Sequence, residues 1–156
     1  DPQPGEAIGM IGLFGPLVER IVAAGAGLTV IELDERAVGE REGWRVTTDA
    51  SALEACGKVL STSTLLLNDT LDRMLAHCRV ARWFAMVGPS AGCLPDALFA
   101  RGVTLLGGSW VEDRAAFIDG LRSGDKDRHK GRRATSKFAL TADGWPGFDR
   151  LLERVR

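Results

Sequence analysis

Residues 7–17, Ala7-Ile8-Gly9-Met10-Ile11-Gly12-Leu13-Phe14-Gly15-Pro16-Leu17, carry a short apolar run into a glycine turn and on into a helix. The run reads as a first strand over 7–12. Pro16 sits where a first helical residue has no use for its N–H. Leu17, Val18, Ile21 and Val22 then repeat at helical spacing, and Gly25 is placed to end the helix. Strand, glycine turn and helix are the first half of a βα unit, and the chain repeats the theme.

Leu28-Thr29-Val30-Ile31-Glu32-Leu33 reads as a second strand ending at Asp34. Asp49 or Ser51 caps a short helix through Cys56, and a third strand over 58–63 finishes in Ser61-Thr62-Ser63-Thr64. Asn68 caps a helix whose Leu71, Met74, Leu75 and Cys78 share one face. A fourth strand, 83–87, closes at Gly88-Pro89-Ser90, with a helix starting at Pro95. A fifth, 103–106, runs into Gly107-Gly108-Ser109 and a helix over 113–121 that Gly124 terminates. This alternation predicts an α/β fold: a Rossmann-like, doubly wound, mainly parallel five-stranded sheet with helices on both faces, in the order 3-2-1-4-5. That domain covers 1–124. Lys126, Arg128, Lys130, Arg132, Arg133 and Lys137 make 125–137 a basic loop or linker. The extension 138–156 ends in a helix, with Phe148, Leu151, Leu152 and Val155 packed on the same domain.

A length of 156 residues and 45% hydrophobic content suit one domain with a real core. The formal net charge of −1 gives no global field for nucleic acid, and no apolar run approaches the ~20 residues of a membrane span. The basic loop lacks aromatics for stacking on bases. Cys56, Cys78 and Cys93 fit neither a disulfide framework nor a thiolate zinc site. With no export signal at the start, a reducing cytoplasm is the expected home.

Ligands of such sheets bind beyond the carboxyl ends of the strands where the strand order reverses, here expected between the first and fourth strands. The candidate ligand-binding residues are Gly12, Phe14, Gly15, Glu32, Asp34, Thr62, Asn68, Thr70, Gly88, Pro89 and Ser90. Against a G-x-G-x-x-G dinucleotide fingerprint, Met10 stands at the first glycine, Phe14 is bulky and Pro16 removes an amide donor. Asp34 is still spaced to hold a ribose hydroxyl. The alternative is a turn that serves packing alone. Glu32, in an otherwise apolar strand, needs a ligand hydroxyl, an amine, a metal or an arginine as partner. The hydroxyl cluster Ser61-Thr62-Ser63-Thr64 and the helix start Asn68-Asp69-Thr70 together bind an anion or a polar small molecule, or are plain caps. Gly88-Pro89-Ser90-Ala91-Gly92 matches a nucleophile elbow, but the next helix starts late at Pro95. The histidines, His129 in the basic loop and His77 on an outer helix, are poorly placed as a base. Cys93 is a small packing residue or a thiol activated by the following helix.

In register along the chain stand Ile8-Gly9-Met10-Ile11-Gly12-Leu13-Phe14-Gly15-Pro16-Leu17, Val30-Ile31-Glu32-Leu33-Asp34, Leu67-Asn68-Asp69-Thr70-Leu71, Met86-Val87-Gly88-Pro89-Ser90-Ala91 and Leu106-Gly107-Gly108-Ser109. Over about residues 5–124 this pattern resembles the bacterial and archaeal family of putative heavy-metal chelation proteins, a Rossmann-like domain of unknown function. The resemblance implies metal or metallophore involvement and a site at Gly12, Phe14, Gly15, Glu32, Asn68, Thr70, Gly88, Pro89 and Ser90. It also implies a smaller N-terminal domain ahead of this one, with a cleft between the two; this chain starts directly at the glycine strand.

The leading expectation is a domain that binds a small polar molecule or metal complex, in metallophore or cofactor metabolism. One alternative is an enzyme using a nucleotide cofactor, NAD(P) or S-adenosylmethionine. Another is an interaction module completed by a partner domain or as a homo-oligomer. A metal ion or a nucleotide is the expected cofactor; catalysis itself is not legible.

Overall fold

The structure, a computed structural model, describes residues 1–123 and 133–153. Its strands are β1 (Ala7–Ile11), β2 (Gly27–Ile31), β3 (Gly39–Arg41), β4 (Trp44–Thr47), β5 (Lys58–Thr62), β6 (Trp83–Val87), β7 (Leu105–Val111) and β8 (Thr135–Thr141). The helices are α1 (Gly15–Ala23), α2 (Leu71–Ala76), α3 (Asp96–Phe99), α4 (Arg114–Arg122) and α5 (Phe148–Glu153). Tight 3-10 turns occupy Glu35–Ala37, Ala50–Ala55, Ser63–Leu66 and Pro89–Ala91. All eight strands form one sheet in the order β3-β4-β2-β1-β5-β6-β7-β8. Only β3 and β8, at the two edges, run antiparallel to their neighbours.

The expected five strands are therefore eight among the described residues. The missing parallel strand is β4, beside β2. It is four residues long and buries only Val46, so it gives almost no apolar signal. The hairpin β3–β4 turns at Gly43, whose φ of +79° favours glycine. With β4 in third place, the strand expected there, β5, lies next to β1. The strand order therefore reverses between β1 and β5, not between β1 and β6 as the five-strand count had it.

Side-chain alternation along the parallel strands builds two cores. One face packs Ile8, Met10, Leu28, Val30, Val46, Leu60 and Ala85 with Val18 and Ile21 of α1. The other packs Ile11, Ile31, Val59, Phe84, Met86 and Leu106 under Leu53, Leu65, Leu71, Met74 and Leu98, from the turns and from α2 and α3. Gly9 faces this second layer, where a Cβ would come within 2.6 Å of Leu53 Cδ2. Cys56 and Cys78 are buried in the same layer, and burial pushes the Cys78 thiol up to about 12. Among the described residues no helix is long and apolar enough to cross a membrane.

Other boundaries shift. Gly107-Gly108-Ser109 is not a turn but the middle of β7, which pairs along its whole length with β8. Residues 135–137, expected in the basic loop, belong to β8, where Lys137 donates to Ser109 Oγ at 2.6 Å. Asp113 caps α4 by accepting from the Ala116 amide, 3.0 Å. Gly124, His129 and the rest of the basic segment through 132 lie outside the described residues, as does Val155. The closing helix α5 buries none of its residues fully. It is tied down at its start, where Asp96 accepts from the Phe148 amide (2.9 Å) and from Trp145 Nε1 (3.1 Å).

The Phe148 amide first, and Trp145 after it, hold the Asp96 carboxyl below its ordinary value near 3.9. A depressed folded pKa means that the tie is intact above the unfolded value and lost as pH falls through the folded one. The Trp145 Nε1–H resonance is therefore expected to shift to its solvent-exposed position on acidification below about pH 4. In Asp96→Asn the same resonance should show no transition in that range.

Candidate functional site

At the reversal point β1 delivers Gly12, with a φ of +80°, against Thr62 at the end of β5. A Cβ on Gly12 would sit 3.0 Å from Thr62 Cγ2, so the close approach of the two strand ends requires glycine. The Gly12 amide donates to Ile31 O at 2.9 Å, joining the end of β1 to that of β2. Above these ends, on the α2 side of the sheet, lies a crevice of about 120 Å³. Its floor is Ile11, Ile31, Leu65 and Met74, and its polar lining is Glu32, Thr48, Thr62, Thr64, Asn68, Thr70 and Arg73.

Glu32 lies just past β2, not inside it. Its backbone amide donates to Thr47 O (3.1 Å), and its Oε1 accepts from the Leu13 amide at 2.6 Å. The carboxylate thus pins the glycine turn. The next amide, that of Phe14, points to Met10 Sδ at 3.4 Å, while the Phe14 ring packs into the α1 core. Pro16 has no N–H. Of the donors a pyrophosphate would need, the Leu13 amide is engaged and shielded by a negative charge, and the Phe14 amide is directed inward.

Thr62 caps the turn that follows β5, its Oγ1 accepting from the Thr64 amide at 3.4 Å and the Thr64 hydroxyl at 3.1 Å. The hydroxyl cluster 61–64 is split: Thr62 and Thr64 face the crevice, while Ser61 and Ser63 are fully buried. Asn68 does not cap α2. The cap position is Thr70, two residues past Asn68, so the helix starts at Leu71, and Asp69 between them takes a φ of +55°. With its amide oriented to satisfy both ends, Asn68 donates to Thr64 O (3.2 Å), Leu65 O (3.3 Å) and Thr70 Oγ1 (2.6 Å).

The crevice therefore gathers Gly12, Glu32, Thr62, Asn68 and Thr70 of the sequence-derived candidates, and not the others. Phe14 is half-buried against the core under α1, and Gly15 is an exposed first-turn residue of α1. Asp34 caps the turn at Glu35–Ala37 through the Arg36 amide (3.0 Å) and pairs with the Arg36 guanidinium (2.8 Å), which holds its carboxyl below the usual range. Gly88, Pro89 and Ser90 form a separate turn. Gly88 has a φ of +141°, and the Ser63 hydroxyl occupies the space its Cβ would need. His77 is engaged by Glu54 at 2.8 Å, and no described histidine stands near Ser90 as a base. Cys93 is exposed and isolated. Thr64 lies in the hydroxyl cluster that the sequence singles out, whereas Thr48 and Arg73 carry no such signal. Thr48 follows the strand that gave no apolar signal, and Arg73 lies on the polar side of a helix read for its apolar face.

Residues 1–139 match the family described as putative heavy-metal chelation, DUF364. No curated protein matches the sequence. Among solved structures the chain is similar to a DUF364 protein of unknown function from Pyrococcus horikoshii, at 21% identity and a TM-score of 0.73, over 87% of this chain and 55% of that one. It is likewise similar to one from Desulfitobacterium hafniense, at 24% identity and a TM-score of 0.69, over 88% of this chain and 53% of that one. The likeness is one of fold, and this chain spans just over half the length of either relative.

Removing the Glu32 carboxylate leaves the Leu13 amide without its acceptor, at a site that water can reach. Glu32→Ala is expected to lower stability by about 1 kcal/mol, read as a shift of the urea midpoint at constant slope. Glu32→Gln keeps an acceptor oxygen and should lose less.

Proposed function

The chain belongs to DUF364, the family described as putative heavy-metal chelation, and we propose that the crevice between β1, β2 and β5 binds a small polar ligand presented as a metal complex. The observation that carries this reading is the convergence of Glu32, Thr48, Thr62, Thr64, Asn68, Thr70 and Arg73 on one crevice at the reversal point, where such sheets bind ligands. Counted along the six parallel strands the order is 3-2-1-4-5-6, which supports reading the sheet as Rossmann-like and doubly wound.

The described residues do not fit a bare heavy-metal ion. Soft metals take thiolate and imidazole ligands, whereas the crevice offers hydroxyls, one amide and one carboxylate. Cys56 and Cys78 lie in the core with their thiols pushed up by burial, and His77 is held by Glu54. No group of three or more His, Cys, Asp or Glu side chains is arranged to hold a metal among the described residues. A metal bound here brings its own ligands, and the protein recognises the organic shell. The nucleotide-cofactor alternative has the strand order in its favour and the turn chemistry against it: Glu32 engages the turn amide, and Asp34 is turned to Arg36.

In thermal denaturation, nickel(II), copper(II) and zinc(II) chlorides should give no saturable stabilisation, while complexes of these ions with small organic chelators should. At 100 times its dissociation constant such a complex adds about 2.7 kcal/mol. Saturable one-to-one stabilisation by a bare ion, or silence from every complex, refutes the reading.

A second reading, the interaction module completed by a partner domain, is favoured by a different observation. Leu13, Leu33, Leu67 and Leu94 are all at least half exposed, each in a loop that follows the carboxyl end of a parallel strand. Exposed apolar side chains gathered at the carboxyl ends of the strands, Leu33 among the crevice lining, suit a covering domain. Glutamate at Leu33 and Leu67 is expected to leave the melting temperature unchanged while abolishing association with that domain in sedimentation.

A further inference from the structure

Resting on the crevice as a ligand site, we infer that its ligand is a small aminocarboxylate, an amine nitrogen and a carboxylate on one short skeleton, bound free or as its metal chelate. Among the described residues the crevice lining contains one anionic side chain, Glu32, and one cationic side chain, Arg73. They stand on different walls, Glu32 at the carboxyl edge of the sheet and Arg73 on α2. Each has unused capacity. Glu32 gives Oε1 to the Leu13 amide, and its Oε2 has no partner among the described residues. The acid beside Arg73, Asp72, is taken by Arg101 at 3.2 Å, and the Arg73 guanidinium has no partner among the described residues.

A ligand complementary to this pair carries a donor for Glu32 and an acceptor for Arg73, with hydrogen-bonding groups for Thr62, Thr64 and Thr70 of the same lining. A crevice of about 120 Å³ holds the two charged groups and the short skeleton that joins them, with the rest of a larger ligand outside it. An aminocarboxylate meets both demands, and still meets them with a metal attached. A metal-bound primary amine keeps two N–H donors for Glu32, and a carboxylate bound through one oxygen leaves the other free for Arg73. The same two groups chelate heavy metals, so a crevice without soft ligands can sit in a family described by chelation. A simple dicarboxylate or phosphate would face Glu32 with like charge, and a simple amine would leave Arg73 unanswered.

The test compares L-histidine with imidazolepropionate, which lacks the amine, and histamine, which lacks the carboxylate, each alone and with one equivalent of nickel(II). Affinity is read by calorimetry, and location by amide chemical-shift changes at Thr62 and Thr70. The expected result is that histidine, in at least one form, binds about tenfold tighter than either analogue in the same form, the worth of one charge-assisted hydrogen bond. In Arg73→Gln the advantage over histamine should vanish while the advantage over imidazolepropionate remains; Glu32→Gln should give the converse. If an analogue equals or exceeds histidine at the crevice, the aminocarboxylate inference fails and the crevice remains a ligand site. If neither histidine form perturbs the crevice amides the inference also fails. The binding reading fails with it only if the wider set of chelates is silent too.

Discussion

Everything at the functional end of this molecule follows from the position of β1. It is flanked by β2 and β5, and the connections on its two sides pack against opposite faces of the sheet: α1 lies on one, and the turns and helices that lead from β5 to β7 lie on the other. No connection therefore crosses over the carboxyl end of β1, and a crevice is left there by topology alone. The residues around it serve this constraint. Gly9 lets Leu53 close down on the strand, and Gly12 lets β1 and β5 finish side by side.

What the crevice can bind is set by one hydrogen bond. In a dinucleotide site the amides after the first strand point at phosphate, and an acid at the end of the second strand holds a sugar. Here the acid, Glu32, reaches across and takes the turn amide itself. The two halves of that design are joined to each other, so the turn becomes a wall with a negative face. The polar groups left facing the crevice are then the hydroxyls on the other wall, after β5 and at the start of α2. Oxygen donors of this kind hold organic groups well and soft metal ions poorly, which reconciles the family's description with a chain whose described cysteines and histidines are placed elsewhere.

Much of this was legible in the sequence, for physical reasons. Strands β1, β2, β5 and β6 are buried on both faces, and such strands read as continuous apolar runs. Strand β4 is partly exposed and buries Val46 alone, while β8 pairs only along one edge and is mostly polar; neither leaves that trace. Missing β4 had a consequence beyond the count. The strand number order 3-2-1 was right with the wrong strand in third place, so the reversal point was assigned to β6 instead of β5. Gly12, Glu32, Thr62, Asn68 and Thr70 still line one crevice together, because residues at strand ends can be read locally. Thr48 could not be found without β4. Gly88 to Ser90 matched a catalytic motif letter for letter, yet the glycine is there to clear a buried serine, Ser63, that no local pattern signals.

The same central strand sets the order in which the molecule can assemble. One edge of β1 meets β2 in the register Ile8↔Leu28, a local closure, but the other meets β5 at Ile8↔Lys58, after α1, β2, the β3–β4 hairpin and a further turn have intervened. Closing the longer loop carries the larger entropy cost, and pairings so distant in sequence slow folding. The seam between β1 and β5 is thus the long-range step on which the two halves of the sheet become one. The polar groups that follow β2 and β5 come together only when that seam has formed, so the crevice takes shape with the completion of the fold.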